Sequence, residues 1–319
     1  MGERLDACTY FDANYLPRGL ALYRSIKEHH ADFRLFVLAL DQPTRDILAQ
    51  RSDPGITVIG ALDDPHALDD PARRFSDRKQ LYFSLTPGLC LHVMRRYPDV
   101  RSLVYLDADV FLFDSLDALL EEAGDASVAI CPHRRSRWQE MVSRHYGTYN
   151  VGVNLFRNDA EGLRCLEEWK HACDDWRPDD PDNPLPFFSD QIYLDSWPAR
   201  YASLKVIAHP GIDTGPWNAV NHRFSRRDGR YLVDGVPLVA YHFAFMERLA
   251  AGRWRLTVNT FPVNLRGTLL DIHRDYLRVV ESCSGASTAF ARLRLQPSPA
   301  RRALRRLLAL VLNDEVVLP

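Results

Sequence analysis

Two aspartates, Asp107 and Asp109, stand two residues apart inside one of the most apolar runs of the chain, VYLDADVFLF (residues 104–113). Carboxylates taken out of water without a partner are strongly unfavourable, so this run demands a positive charge close by. A hard divalent cation meets the demand, because it accepts carboxylate and phosphate oxygens into one shell. In an open α/β sheet, ligands gather beyond the carboxyl ends of the strands. The acidic pair follows a strand pattern and so falls at such an end. An acidic pair in that place also serves as a turn or a helix cap, the role assigned to the neighbouring Asp114 and Asp117.

Other polar groups stand where ligands could reach them. Arg78 and Lys79 open a helical pattern ahead of the acidic strand, and a helix N-terminus already favours anions; a solvated basic face is the plainer alternative. In TYNVGVNLF, Gly152 sits within a strand between Asn150 and Asn154. Glycine in a strand often marks close approach by ligand or backbone, and asparagine offers a polyhydroxylated partner both donors and acceptors. SDQ puts Asp190 and Gln191 at a helix start, where Ser189 reads equally as an N-cap. Further on, Trp217 and Asn218 lie in the loop motif GPWN, and His242 ends the apolar run VPLVAYHF. Taken alone, His242 is more often a core histidine than a ligand.

Short apolar runs alternating with helical patterns must position these groups, the signature of βαβ units. LDACTYF, RLFVLAL and GITVIGA read as the first three strands, with helices in PRGLALYRSIKEHH and QPTRDILAQR between them. A long helical pattern, DRKQLYFSLTPGLCLHVMRRYP, is expected to be interrupted at Pro87. RSLVYLDADVFLF follows, a strand that runs into the acidic pair, then DASVAICPH and TYNVGVNLFRN as strands and AEGLRCLEEWKHACDDW as a helix. The Pro/Asp-rich stretch 178–188 and the segment 209–230 read as loops; LKVIA and VPLVAYHF read as strands.

The chain has 319 residues, a hydrophobic fraction of 46% and a formal net charge of −2. The size admits one large α/β domain or about two average ones, and the charge excludes a global basic field recruiting nucleic acid. The six cysteines form no CxxC pair or metal-finger spacing and read as reduced core thiols. With no signal peptide visible and no apolar run of membrane-spanning length, a cytoplasmic protein is expected. Residues 298–319 set Arg301, Arg302, Arg305 and Arg306 beside Leu304, Leu307, Leu308, Val311 and Leu312. That pattern suits either a helix packed on the domain or peripheral contact with the inner face of a membrane.

In order, TYFDANYLPRGLALYRSI, YLDADV, NVGVNLF, SDQ and YHF make the chain resemble the GT-A fold glycosyltransferases. The likeness is strongest to family eight, the retaining galactosyl- and glucosyltransferases that include glycogenin and bacterial lipooligosaccharide galactosyltransferases, and it spans roughly residues 5–245. GPWN and HPG depart from the family's usual wording and are similar to bacterial capsule and O-antigen cluster proteins. The resemblance implies an α/β fold: a Rossmann-like, mixed but mostly parallel central sheet flanked by helices, with a C-terminal helical extension. It divides the chain into a catalytic domain, 1–285, and a basic amphipathic tail, 286–319.

It further implies transfer of a sugar from a nucleotide-diphosphate donor, by family default a UDP-sugar, to a saccharide, lipid-linked or protein acceptor. Asp107, Asp109 and His242 would hold Mn²⁺ or Mg²⁺; imidazole among carboxylates favours Mn²⁺. Thr9, Tyr10, Phe11 and Asp12, with Arg78, Lys79, Asp107 and Ala108, would bind the nucleotide. Gln191 would lie at the β-face of the anomeric carbon, with Asp190 and Asn150 on sugar hydroxyls. Asn154, Trp217 and Asn218 would face sugar or acceptor. No carboxylate is an obvious nucleophile, so front-face retention is expected. Two other classes compete. A metal-dependent phosphohydrolase would carry its acidic motif after the first strand rather than after three; a non-catalytic sugar-nucleotide-binding protein would not need Asp107, Asp109, Asp190 and His242 together.

Overall fold

The computed structural model describes residues 4–60, 78–143, 146–176, 190–256, 263–284 and 313–318. The first half alternates as expected: β1 (Leu5–Phe11), α1 (Leu16–His29), β2 (Phe33–Ala39), α2 (Gln42–Arg51), β3 (Ile56–Gly60), α3 (Arg78–Arg96) and β4 (Ser102–Leu106). β5 (Val110–Leu112), α4 (Asp117–Ala123), β6 (Val128–Pro132), α5 (Arg137–Ser143), β7 (Tyr149–Arg157) and α6 (Ala160–Asp175) follow. β1, β2 and β4 bury both faces, which their near-continuous apolar runs require. Pro17 enters α1 in its first turn, where no backbone donor is lost. Asp41 caps α2 by accepting from the Thr44 amide.

The central sheet has seven strands in the order β3-β2-β1-β4-β7-β6-β8, where β8 is Leu204–Val206. β1, β2, β3 and β4 run parallel, β7 runs antiparallel to β4 and β6, and β8 runs parallel to β6. The chain therefore winds outward from β1 through β2 to β3, then returns to start the other half at β4. That reversal makes the carboxyl ends of β1 and β4 a topological switch point, where open α/β sheets bind ligands.

One apolar layer joins α1 to the first sheet face, and a second joins α3 and α6 to the other. A third holds the C-terminal half together around Phe243, Trp254 and Tyr276. The six cysteines are free and buried.

Several expectations change. Pro87 lies inside α3 without ending it, because Leu85, Leu89, Cys90, Val93 and Met94 on both sides are buried in one sheet-facing layer. The strand running into the acidic pair ends at Leu106, as expected, but the apolar residues beyond form a separate strand, β5, after a turn in which the Val110 amide donates to the Asp107 carbonyl at 2.9 Å. The segment 209–230, expected as a loop, carries β9 (Phe224–Arg227), which pairs antiparallel with β10 (Arg230–Val233) just beyond it. VPLVAYHF divides into β11 (Val236–Pro237) and β12 (Ala240–His242). Beyond it come β13 (Met246–Ala250), β14 (Arg253–Leu256) and α8 (Gly267–Cys283), elements the sequence reading left unassigned. Of the expected helical tail, Glu315–Val317 is a strand, β15, paired with β14. The arginines of the tail, and Ser189 with the 178–188 stretch, lie outside the described residues. Among the described residues no helix is long and apolar enough to cross a membrane.

Candidate metal and nucleotide site

β4 delivers Asp107 to the switch point, and a tight turn through Ala108 returns the chain as β5. β5 then pairs antiparallel with β12, His242 opposite Val110, so a residue far along the sequence arrives beside the acidic turn. The Asp107 amide donates to the Gly152 carbonyl at 3.0 Å, and the Phe243 amide donates to the Asp109 carbonyl at 2.8 Å. The turn is thus fixed from both flanks.

His242 Nε2 lies 3.0 Å from Asp109 Oδ1 and 3.5 Å from Asp107 Oδ2. One ligand atom from each residue lies within 4.8 Å of the others. Tyr105 donates its hydroxyl to Asp107 Oδ1 at 2.7 Å. Arg18, on α1, brings Nη1 to 3.5 Å from Asp109 Oδ2 while Nη2 donates to the Met246 carbonyl. Burial would push the Asp109 carboxyl up, but His242 and Arg18 outweigh it and hold the group below the carboxylate range. Burial carries Asp107 upward, opposed by His242 and assisted by Asp109. For His242, burial is overcome by Asp109 and the imidazole is raised well above its ordinary value. Two carboxylate oxygens and an imidazole nitrogen converging in one buried spot form a donor set that fits a divalent cation, Mn²⁺ better than Mg²⁺.

Gly152 is there for the histidine. A Cβ at this position would fall 2.3 Å from His242 Nδ1 and 2.8 Å from Asn150 Oδ1. The close approach expected of a ligand or backbone is made by the imidazole ring.

The first strand end faces two ways. Thr9 and Phe11 are buried, whereas Tyr10 reaches Thr86 with its hydroxyl at 3.3 Å. The Tyr10 phenol is pushed up by burial and then by both Asp107 and Asp190, so these carboxylates share one neighbourhood. Asp12 accepts from the Asn14 amide at 3.0 Å, the Asn14 side chain at 3.1 Å and the Tyr15 amide at 3.2 Å. Asp190 opens a 3-10 turn, Asp190–Ser196, buried itself beside half-buried Gln191. Arg78 and Lys79 open α3 as expected, but their side chains lie outside what the structure describes.

The amides expected on sugar are turned inward. Asn150 Oδ1 accepts from the Gly152 amide at 2.5 Å, and its Nδ2 lies 3.2 Å from His133 Nε2. Asn154 is fully enclosed, donating to the Val151 carbonyl at 2.8 Å, and offers no surface to an acceptor. Asn218 is equally enclosed; it accepts from the Gly215 amide at 3.0 Å and donates to the His133 carbonyl at 3.0 Å. Trp217 stands edge-on to His242, ring centroids 5.1 Å apart. Trp217 thus walls one side of the histidine, backed by His133, to which Asn150 and Asn218 are joined. Sequence reasoning missed Arg18 and Asp213; the arginine sits in the first turns of a helix and the aspartate between loop glycines, and neither place signals a site.

No family model matches the chain. Among curated proteins, it is 28% identical over 244 residues to "Uncharacterized protein YfnF" of Bacillus subtilis (strain 168), covering 74% of this chain and 80% of that one. "Uncharacterized protein YfnD" of the same strain is 27% identical over 228 residues, covering 70% and 72%. Among solved structures, galactosyltransferase LgtC in complex with donor and acceptor sugar analogues superposes with a TM-score of 0.53 at 17% identity, over 90% of this chain and 98% of the other. An LgtC active-site mutant with glutamate in place of glutamine gives a TM-score of 0.52 at 18% identity, with the same coverage. The mixed α/β architecture, with its large, mostly parallel sheet, is the fold of the GT-A glycosyltransferases.

Proposed function

We propose that this protein is a metal-dependent glycosyltransferase that moves a sugar from a nucleoside diphosphate sugar, UDP-linked by preference, to a saccharide, lipid-linked or protein acceptor with retention of anomeric configuration. The observation that carries the reading is the convergence of Asp107, Asp109 and His242 at the switch point of a GT-A fold. Asp12, where a phosphohydrolase would carry its nucleophile, has both oxygens engaged at the start of α1, which disfavours that alternative.

Asp107, Asp109 and His242 would hold Mn²⁺, which when bound neutralises charge developing on a diphosphate leaving group. Tyr105 restrains Asp107, and the β5–β12 pairing restrains His242, so the ligands are positioned before substrate arrives. Tyr10 offers an aromatic wall beside the pair. Asp190 and Gln191 are the polar groups assigned to the transferred sugar, Gln191 at the anomeric carbon; the amide stabilises an oxocarbenium-like state without forming a bond. The arginines at 301, 302, 305 and 306 are proposed to bring a lipid-linked acceptor's membrane within reach. Replacing all four with glutamate and finding unchanged pelleting with anionic vesicles would remove that role.

Slow hydrolysis of a donor needs no known acceptor, so a nucleotide-sugar panel is the test of the main reading. Mn²⁺-dependent release of one nucleoside diphosphate is expected, reduced at least about 100-fold in Asp109→Asn. Metal-independent release, or none from any UDP-, GDP-, TDP- or CMP-sugar, overturns the reading. An inverted product anomer by NMR overturns retention alone.

A further inference from the structure

Asp213 has no solvent exposure, and neither of its carboxylate oxygens has a hydrogen-bond partner among the described residues. Its backbone adopts φ +57°, a left-handed conformation that disfavours most residues but that aspartate tolerates. A buried, unpaired carboxylate on strained backbone is doubly unfavourable, so packing alone gives no reason for it.

Among the described residues, His242 is the titratable group within 4 Å of it. Asp213 Oδ1 lies 3.6 Å from His242 Nδ1, and that nitrogen also lacks a hydrogen-bond partner. The two nitrogens of the imidazole therefore face opposite ways, Nε2 towards Asp107 and Asp109, Nδ1 towards Asp213. The separation is a contact rather than a hydrogen bond, and closing by about half an ångström would make it one.

The loop bearing Asp213 is tied to the histidine's own strand. The His242 amide donates to the Thr214 carbonyl at 2.7 Å, the Thr214 amide to Ala240 at 3.2 Å, and the Ala240 amide to Gly211 at 2.9 Å. Arg134 clamps the same loop through the carbonyls of Ile207, His209 and Ile212, at 3.0, 3.0 and 2.9 Å. Gly152 closes on the ring near Nδ1 and Cε1, and Trp217 stands edge-on to it.

We propose that Asp213 is the positioning residue for the metal ligand His242: it accepts the Nδ1–H and so directs the Nε2 lone pair at a divalent cation shared with Asp107 and Asp109. A ligating histidine needs an acceptor at its second nitrogen to set tautomer and orientation, and Asp213 is the group in reach. Charge agrees. Three carboxylates and Arg18 leave two negative charges around a neutral imidazole, which a divalent cation balances.

The inference rests on the metal-dependent reading above, and direct Mn²⁺ titration of the nucleotide-free protein separates the two. Wild type is expected to bind Mn²⁺, followed by electron paramagnetic resonance. Asp213→Gly, which relieves the backbone and removes the acceptor, is expected to weaken binding about 10- to 100-fold. Asp213→Asn keeps an acceptor oxygen at the same place and is expected to recover most of the lost affinity. Nitrogen NMR of the wild-type protein loaded with diamagnetic Mg²⁺ or Zn²⁺ should show the His242 proton on Nδ1, a signature independent of whether either variant folds. A Kd for Asp213→Gly within twofold of wild type, or the proton on Nε2, overturns the role of Asp213 and leaves the metal site standing. No Mn²⁺ binding by wild type overturns both.

Discussion

Gly152 shows how one missing Cβ can hold a site open. Alanine there would place a carbon 2.3 Å from His242 Nδ1, inside any allowed contact. The ring must then swing away from Asp109, because Gly152 is tied on one side by the Asp107 amide at its carbonyl and on the other, at a bulge in the β6–β7 ladder, by Asn150 Oδ1 at its amide. Gly152→Ala is expected to weaken Mn²⁺ binding at least about tenfold while the protein stays folded, checked by titration alongside circular dichroism. The glycine was legible in the sequence as a place of close approach, but not its occupant. Asp107 and Asp109 were legible because charge inside an apolar run is anomalous at any distance. Arg18 and Asp213 were not: an arginine in a helix and an aspartate between loop glycines are ordinary until the fold sets them against the same cluster.

Elements carry a second kind of information. The β1-to-β4 half was readable from alternating apolar runs, since buried parallel strands need them. Apart from the run that became β11 and β12, the short strands after residue 223 were not, because strands of three to five residues hold too little pattern to set a period. α8 is different. Leu269, Ile272, His273, Tyr276, Leu277 and Val280 recur at helical spacing and are all buried, so its pattern was there to be found. His273 on that face makes the helix sensitive to acid. Its Nδ1 lies 2.8 Å from the Leu269 carbonyl, Tyr241 and Phe243 pack edge-on, and Nε2 has no partner. Burial lowers the group to about 4. Above the unfolded value near 6.5 both states are neutral and nothing is lost. Below it the unfolded chain takes up a proton that the folded protein refuses, so stability falls as pH drops towards about 4. The loss from this residue is about 2 kcal/mol between pH 6.5 and 5. Urea unfolding at the two pH values should show that decrement, and His273→Gln should show correspondingly less.

At the scale of the whole molecule, β15 fastens the C-terminal sheet. Val316 is fully buried, Glu315 pairs with Arg253 and Arg255, and the Asn313 side chain donates to the Leu265 carbonyl at 2.8 Å. Ending the chain at residue 312 is expected to destabilise the protein by about 3 kcal/mol. Trp254, buried on β14 opposite Val316 of β15, should then emit at longer wavelength. The loss should also reach the candidate site, because Met246 at the start of β13 holds Arg18, and Arg18 holds Asp109. Arg18→Met should separate the two effects, weakening the site while leaving β15 in place, as read by unfolding and Trp254 emission together.

The pairing of Val110 with His242 has a consequence for how the protein is made. A ribosome releases the two aspartates long before the histidine that faces them, so every nascent chain passes through a stage in which β4 carries its carboxylates without that partner. The cation site is closed late, by a long-range contact, and its occupancy reports that the chain has been made and folded at least as far as β12.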